Sequence, residues 1–322
     1  MTQTTRPGAS PSRPTPPAGT EPGRVRATTR LHRLIHAPEL LVMPAAYDAL
    51  SARLIEEAGF AAVQCSGMGI ALAHGVPDFS ILSMREMVDA TRTLARAVAI
   101  PVMGDADTGY GGVVNVWHGV REFEAAGAAG MNLEDQVFPK RCGRIAGKEL
   151  VSLREMALKV EAAAQARTDD HFVINARTDA LGMAGIEAAI ERGNAYLKAG
   201  ATMVFIQGVS TREEMARLVG EIDGPVGINL MEQHANCADV SFEEMQRLGI
   251  ARVSLSASTM LAAIHGMRKA LAGIAGRGGT RLDPEVFAPF EDLHRIAGMP
   301  EALAIEQRFS GATPEPSWLE TK

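Results

Sequence analysis

Asp105 and Asp107 stand two residues apart at the end of the apolar run Pro101-Val102-Met103-Gly104, and they lead into Thr108-Gly109-Tyr110-Gly111-Gly112. Side chains at i and i+2 of a strand share one face. The pair therefore offers hard oxygen ligands within one cation's reach, a set suited to Mg2+ with Mn2+ as the alternative. Like charges this close are costly unless a cation or a proton lies between them. Asp and Gly also favour solvated turns, so the rest of the chain has to decide between a site and a turn.

Other polar residues recur where apolar runs end: Tyr47 and Asp48, Ser66 and Gly67, Glu134 and Asp135, Arg177, Gln207 and Asn229. Asp105, Asp107 and Glu134 together make an oxygen cage for one Mg2+, with waters completing the shell. Arg177 offers a planar fork for a substrate carboxylate; a salt bridge to Glu134 or Asp179 is the alternative. The segment Gln136–Lys148 carries Cys142 among Lys140, Arg141 and Arg144, and neighbouring cations favour the thiolate. Its glycines allow a closing movement that excludes water, although a basic surface loop with an incidental Cys would read the same way. Cys65 and Cys237 read as small buried residues. His74, His118 and His234 have no ligand spacing.

Such residues need a frame that gathers strand ends. Strands are expected at Leu41–Asp48 with its exit turn, Ala61–Gly67, the Asp-pair run, Gly130–Asp135, Phe172–Asp179, Met203–Gly208, Pro225–Leu230 and Arg252–Ser256. Between them, helical periodicity covers Ala49–Ala58, Ser83–Val98, Val114–Ala126, Leu153–Ala166, Ile186–Ala199, Arg212–Val219 and Ser241–Leu248, and a last long helix starts near Thr259. Strands alternating with helices imply parallel pairing and, most economically, an α/β fold of the closed (β/α)8 barrel type. A doubly wound open sheet is the competitor, weakened because no G-x-G-x-x-G opens the first unit. Pro284–Leu293 and Pro300–Phe309 read as two extra short helices. In a barrel the strand C-terminal ends face one shared site, and that is where the polar residues fall.

The chain has 322 residues and a formal net charge of −6, which argues against nucleic acid as the main partner. No uninterrupted apolar run would span a bilayer, and the Pro-rich start has no apolar core of a secretory signal. Three widely spaced cysteines suggest neither a disulfide framework nor a zinc site, and fit a reducing, cytoplasmic setting. Residues 1–30 are expected to be a disordered tail, with a partner-binding tail as the alternative. Residues 31–322 are expected to be one barrel domain with a C-terminal helical extension.

Ser66-Gly67, Val76-Pro77-Asp78, Asp105-x-Asp107-x-Gly109-Tyr110-Gly111, Leu133-Glu134-Asp135-Gln136, Lys140-Arg141-Cys142-Gly143, Ala176-Arg177-Thr178-Asp179 and Asn229 follow one another in this order. Together they resemble the isocitrate lyase/phosphoenolpyruvate mutase superfamily over about Leu31–Phe309. The likeness is nearest to the methylisocitrate lyase and carboxyphosphonoenolpyruvate phosphonomutase branch. It implies a homo-oligomer, a dimer of dimers whose C-terminal helices swap between subunits. It also implies Mg2+ at Asp107, with Asp105 and Glu134 acting through waters, and substrate oxygens at the metal and the backbone of Ser66-Gly67-Met68.

By the same resemblance Arg177 and Asn229 hold carboxylates, Asp78, Lys140, Gly143, Arg144 and Gln207 meet a small anionic substrate, and Cys142 is a general acid. The base is left between Tyr47 and a metal-bound water. The implied activity is carbon–carbon cleavage of a 2-hydroxy di- or tricarboxylate, either 2-methylisocitrate-like or alkylmalate-like. Phosphonomutase, oxaloacetate hydrolase or decarboxylase chemistry and a non-catalytic anion binder are the alternatives. Two residues depart from the lyase pattern, Arg144 in place of His and Gln207 in place of Glu. Both make the site more positive and shift the expectation towards more anionic substrates.

Overall fold

The computed structural model describes residues 25–142, 147–230, 240–277 and 286–310. Its parallel strands close into a barrel in chain order: β1 Leu41–Ala46, β2 Val63–Cys65, β3 Val102–Asp105, β4 Gly130–Glu134, β5 Val173–Thr178, β6 Met203–Ile206, β7 Val226–Leu230 and β8 Arg252–Leu255. The seam pairs β8 with β1, setting Leu41 opposite Arg252 and Met43 opposite Ser254. Helix α1 (Ala27–Ile35) precedes β1, and α2 (Ala49–Glu57) follows it. Then come α3 (Gly67–Ala73) and α4 (Met84–Ala97) after β2, α5 (Val113–Ala125) after β3, and α6 (Leu153–Ala166) after β4. The second half adds α7 (Leu181–Ala184), α8 (Ile186–Lys198), α9 (Arg212–Glu221), α10 (Phe242–Leu248) and α11 (Ser258–Arg277), ending with α12 (Phe290–Ala297) and α13 (Met299–Ser310).

Helix ends follow local chemistry. Asp48, Ser83 and Thr211 each accept a hydrogen bond from the third residue of the helix they open, in reciprocal capping boxes. After α5 the chain turns at Gly127, whose φ of +91° is a left-handed conformation that other residues resist.

The pleat sorts strand residues onto two faces. Outward residues such as Val63, Leu133, Ile174, Val204, Ile228 and Val253 pack beneath the helices. Inward residues at the other end of the barrel, Leu41, Met43, Met103, Val173 and Met203, form a separate cluster closed by Leu31 and Ile35 of α1. Helix α1 is therefore the barrel's floor. It begins at Ala27, inside the stretch expected to be unstructured; residues 1–24 lie outside the described residues. Its Arg and His residues mask an apolar pair at i, i+4 that only the barrel floor makes useful.

Helix α3 was also unexpected, since Gly67 and Gly69 lower helix propensity. The Ser66 hydroxyl caps it by accepting from Gly69 N at 3.0 Å, and this turn shortens the strand expected over Ala61–Gly67 to Val63–Cys65. The helix expected over Pro284–Leu293 begins only at Phe290, after Pro289. Among the described residues no helix is long and apolar enough to cross a membrane.

Candidate active site

One cavity at the C-terminal end of the barrel gathers Ser66, Gly67, Met68, Asp78, Asp105, Lys140, Cys142, Arg177, Gln207 and Asn229, all singled out from the sequence. It is lined as well by Gln64, Asn132, Phe205, Arg252, Ser254 and Ser256, which were not. Four of these missed residues sit two positions before a polar residue of the same strand or its exit: Gln64 before Ser66, Asn132 before Glu134, Phe205 before Gln207, Arg252 before Ser254. The period of two that selects the upper layer selects them one layer deeper, and that was the signal available.

The two aspartates come together in a different way from the one expected. Strand β3 ends at Asp105, and Asp107 lies beyond it at φ +46°, so the shared strand face does not align them. The turn does. Asp107 N donates to Asp105 Oδ1 at 3.2 Å, and Asp107 O accepts from Glu134 N at 2.9 Å. Gly67 N donates to Asp105 Oδ2 at 3.1 Å, and a Cβ at Gly67 would lie only 2.3 Å from that oxygen. A side chain there would displace the carboxylate.

Lys140 was expected beside the Cys142 thiol. Its ammonium instead bridges Asp78 Oδ1 at 2.8 Å and Asp107 Oδ1 at 2.9 Å, almost fully buried. Despite the desolvation, Asp107, Glu134, Asp105 and Asp78 hold Lys140 well above the usual lysine range. Burial pushes the Asp107 carboxyl up to about 6 against the pull of Lys140.

Arg177 makes both of the protein contacts that the sequence allowed. Its Nη1 lies 2.9 Å from Glu134 Oε2, while Nε and Nη2 donate to Asp179 at 2.9 and 3.3 Å. One hydrogen remains on each terminal nitrogen for a further acceptor. Burial pushes the Glu134 carboxyl upward against Arg177; we assign it the ionised form on the 2.9 Å contact. Phe205 carries Arg177 and Arg252 over its ring, with guanidinium carbons 5.3 and 5.5 Å from the centroid. Arg252 is fully buried, donates Nη2 to Gln64 Oε1 at 2.6 Å, and is pushed down to about 10 by desolvation.

Some expected residues serve the fold instead. Asp48 caps α2. Asp135 faces the helices, accepting from Thr178 Oγ1 at 2.6 Å, Tyr196 Oη at 2.8 Å and Arg192 Nη1 at 2.9 Å. Tyr47 is not among the residues lining the cavity, and burial together with Asp48 pushes its phenol upward. Asn229 Oδ1 accepts from the Ser254 hydroxyl at 3.0 Å. Gln207 presents a buried amide to the cavity. Cys65 is buried as expected. Gly143, Arg144, His234 and Cys237 lie outside the described residues.

Among the described residues no three carboxylates close directly on one ion. A cation here would meet one or two of them and reach the others through waters, the habit of Mg2+, which dehydrates reluctantly. Glu134 Oε1 is buried with no hydrogen-bond partner among the described residues, and Asp107 and Glu134 both have raised carboxyls. A positive charge relieves all three strains, so the donor set fits a hard cation.

The profile of the family described as phosphoenolpyruvate phosphomutase matches residues 31–275. The 2,3-dimethylmalate lyase of Eubacterium barkeri is 43% identical over 209 residues, which is 65% of this chain and 72% of the relative. A crystal structure of 2,3-dimethylmalate lyase, described as a PEP mutase/isocitrate lyase superfamily member, matches with a TM-score of 0.83 at 32% identity, covering 91% of this chain and 98% of that one. Phosphonopyruvate hydrolase in complex with oxalate and Mg2+ matches with a TM-score of 0.80 at 31% identity, covering 88% and 99%.

Proposed function

The chain is an enzyme that belongs to the phosphoenolpyruvate phosphomutase family, and from that premise we propose that it is a Mg2+-dependent carbon–carbon lyase. Its substrate on this reading is a 2-hydroxy di- or tricarboxylate, alkylmalate-like or 2-methylisocitrate-like. The products are an α-keto acid and a second carboxylate. The observation that carries the reading is one cavity shared by Asp105, Arg177 and Cys142. A carboxylate able to face a cation, a fork for the substrate carboxylate and a thiol are what such a cleavage needs together.

Mg2+ held at Asp105, Asp107 and Glu134 would act as a Lewis acid on the developing carbonyl. The chain's own residues do the rest. Arg177 offers its two remaining N–H groups to a substrate carboxylate, and Asn229 adds its amide. The backbone of Ser66, Gly67 and Met68 lines the cavity for the keto-acid end. Cleavage leaves a carbanion on the departing fragment, and Cys142 Sγ–H gives it a proton. A phosphonomutase reaction would need no such acid, so a thiol in the cavity favours the lyase. The base is a water or Tyr47, and the raised phenol favours water.

The same reading takes the protein as cytoplasmic and homo-oligomeric. Helices α12 and α13 contain no buried residue, and Phe290, Leu293, Ile305 and Phe309 stand 61–71% exposed. A second copy, with C-terminal helices exchanged, would cover them. Sedimentation should give multiples of 34.2 kDa; a monomer at micromolar concentration contradicts this. The activity is tested by measuring α-keto acid release across a panel of 2-hydroxy di- and tricarboxylates with Mg2+. Release from at least one alkylmalate or methylisocitrate is expected, and none from any member would refute the lyase reading.

A further inference from the structure

Arg177 is one member of a row of charges. Lys148 Nζ lies 2.6 Å from Asp179 Oδ1, Asp179 binds Arg177, and Arg177 binds Glu134, so the signs alternate along the row. Asp179 is fully buried and its backbone is fixed, because its N–H donates to Asp135 Oδ1 at 3.1 Å. Asp135 is itself locked by Thr178, Tyr196 and Arg192. The Asp179 carboxylate thus has little room to adjust, and its two oxygens are used unequally. Oδ2 takes Arg177 Nε at 2.9 Å, whereas Oδ1 takes Lys148 at 2.6 Å and Arg177 Nη2 only at 3.3 Å.

A carboxylate facing a guanidinium alone normally forms two short parallel bonds. Here the Lys148 ammonium competes for one oxygen, and the bond on the Nη2 side is the long one. We propose that Lys148 is a positioning residue that works through Asp179: by holding Oδ1 it keeps the bond from Arg177 Nη2 to Asp179 long, so that the hydrogen left on Nη2 is aimed at the substrate carboxylate and more of the guanidinium's charge is left for that anion. Without Lys148 the fork closes on Asp179, both bonds shorten, and the carboxylates of Asp179 and Glu134 share one cation beside a site that must accept an anion. This rests on the reading of Arg177 as the carboxylate-binding group.

The test is the Kd of the Mg2+-loaded, full-length protein for oxalate, a small dianion, measured by calorimetry so that no turnover is needed. Lys148→Met should weaken oxalate binding on the order of ten-fold or more, the scale of one charge-assisted hydrogen bond, and Lys148→Arg should restore most of it. In an Asp179→Asn background the Lys148→Met effect should shrink to less than about three-fold, because the residue through which it acts is gone. Unchanged oxalate affinity in Lys148→Met would overturn the proposal. So would an undiminished effect in the Asp179→Asn background, which would mean that Lys148 acts by another route. If Asp179→Asn does not fold, the Met and Arg variants still decide, since a loss that Arg does not rescue also counts against the proposal. A wild type that binds oxalate but cleaves no hydroxy acid refutes the lyase reading and leaves this test intact.

Discussion

Lys140 bridges Asp78 and Asp107 where its side chain is only 4% exposed, so its loss would bury two carboxylates without a counter-charge. Breaking a buried ion pair from one side costs about 3–5 kcal/mol. We expect Lys140→Met to lose that much stability at neutral pH, and the loss to depend on pH. Asp107 already titrates at about 6 in the fold, above its unfolded value of roughly 3.9. A carboxyl raised in this way favours the fold below its unfolded value, and that advantage is lost as pH rises through the folded one. Removing Lys140 raises the folded value further, so the deficit against wild type should be smaller near about pH 5, where Asp107 carries its proton, than near about pH 8. Thermal melts of both proteins at the two pH values check this; an equal deficit at each would contradict it. Asp105, Glu134 and Arg177 could be read from the sequence because they end apolar runs. Lys140's partner could not, because Asp78 lies on a different loop and only the closed barrel brings the two together.

Helix α1 shows what periodicity alone misses at the scale of an element. Leu31 and Ile35 are buried against Met43, Met103, Val173 and Met203, yet the helix looks polar because three of its nine residues are Arg or His. Leu31→Ala should therefore cost about 2–5 kcal/mol, the range for emptying a fully buried leucine site. Denaturant melts would show this as a lower midpoint, while KM should stay near wild type because the floor lies at the opposite end of the barrel from the cavity. A loss below about 1 kcal/mol would show that α1 is dispensable. The main strands and helices were legible because apolar runs of strand length alternate with stretches of helical periodicity. Helix α6 matches its expected bounds at both ends, Leu153 and Ala166. Strand ends came out one or two residues short wherever the polar exit residues already belong to turns, as at Ser66 and Asp179.

For the whole molecule, the order of motifs carries more information than any one of them. Asp-x-Asp alone is compatible with a turn. Placed before Leu133-Glu134-Asp135, Lys140-Arg141-Cys142 and Arg177 in a closed barrel, its first carboxylate, Asp105, lines one cavity with Lys140, Cys142 and Arg177, and Asp107 lies behind it against Lys140. Cooperation between distant segments of this kind is legible as a pattern, whereas the pairing of Lys140 and Lys148 with particular carboxylates requires coordinates. On the proposed reading these carboxylates hold a metal that the carbon–carbon cleavage needs. The most direct test is α-keto acid release from the best substrate after exhaustive chelation and then stepwise return of Mg2+. Release should fall to background and recover as the metal returns, with Asp107→Ala failing to recover at any concentration. Undiminished release by the chelated wild type would contradict a metal-dependent cleavage.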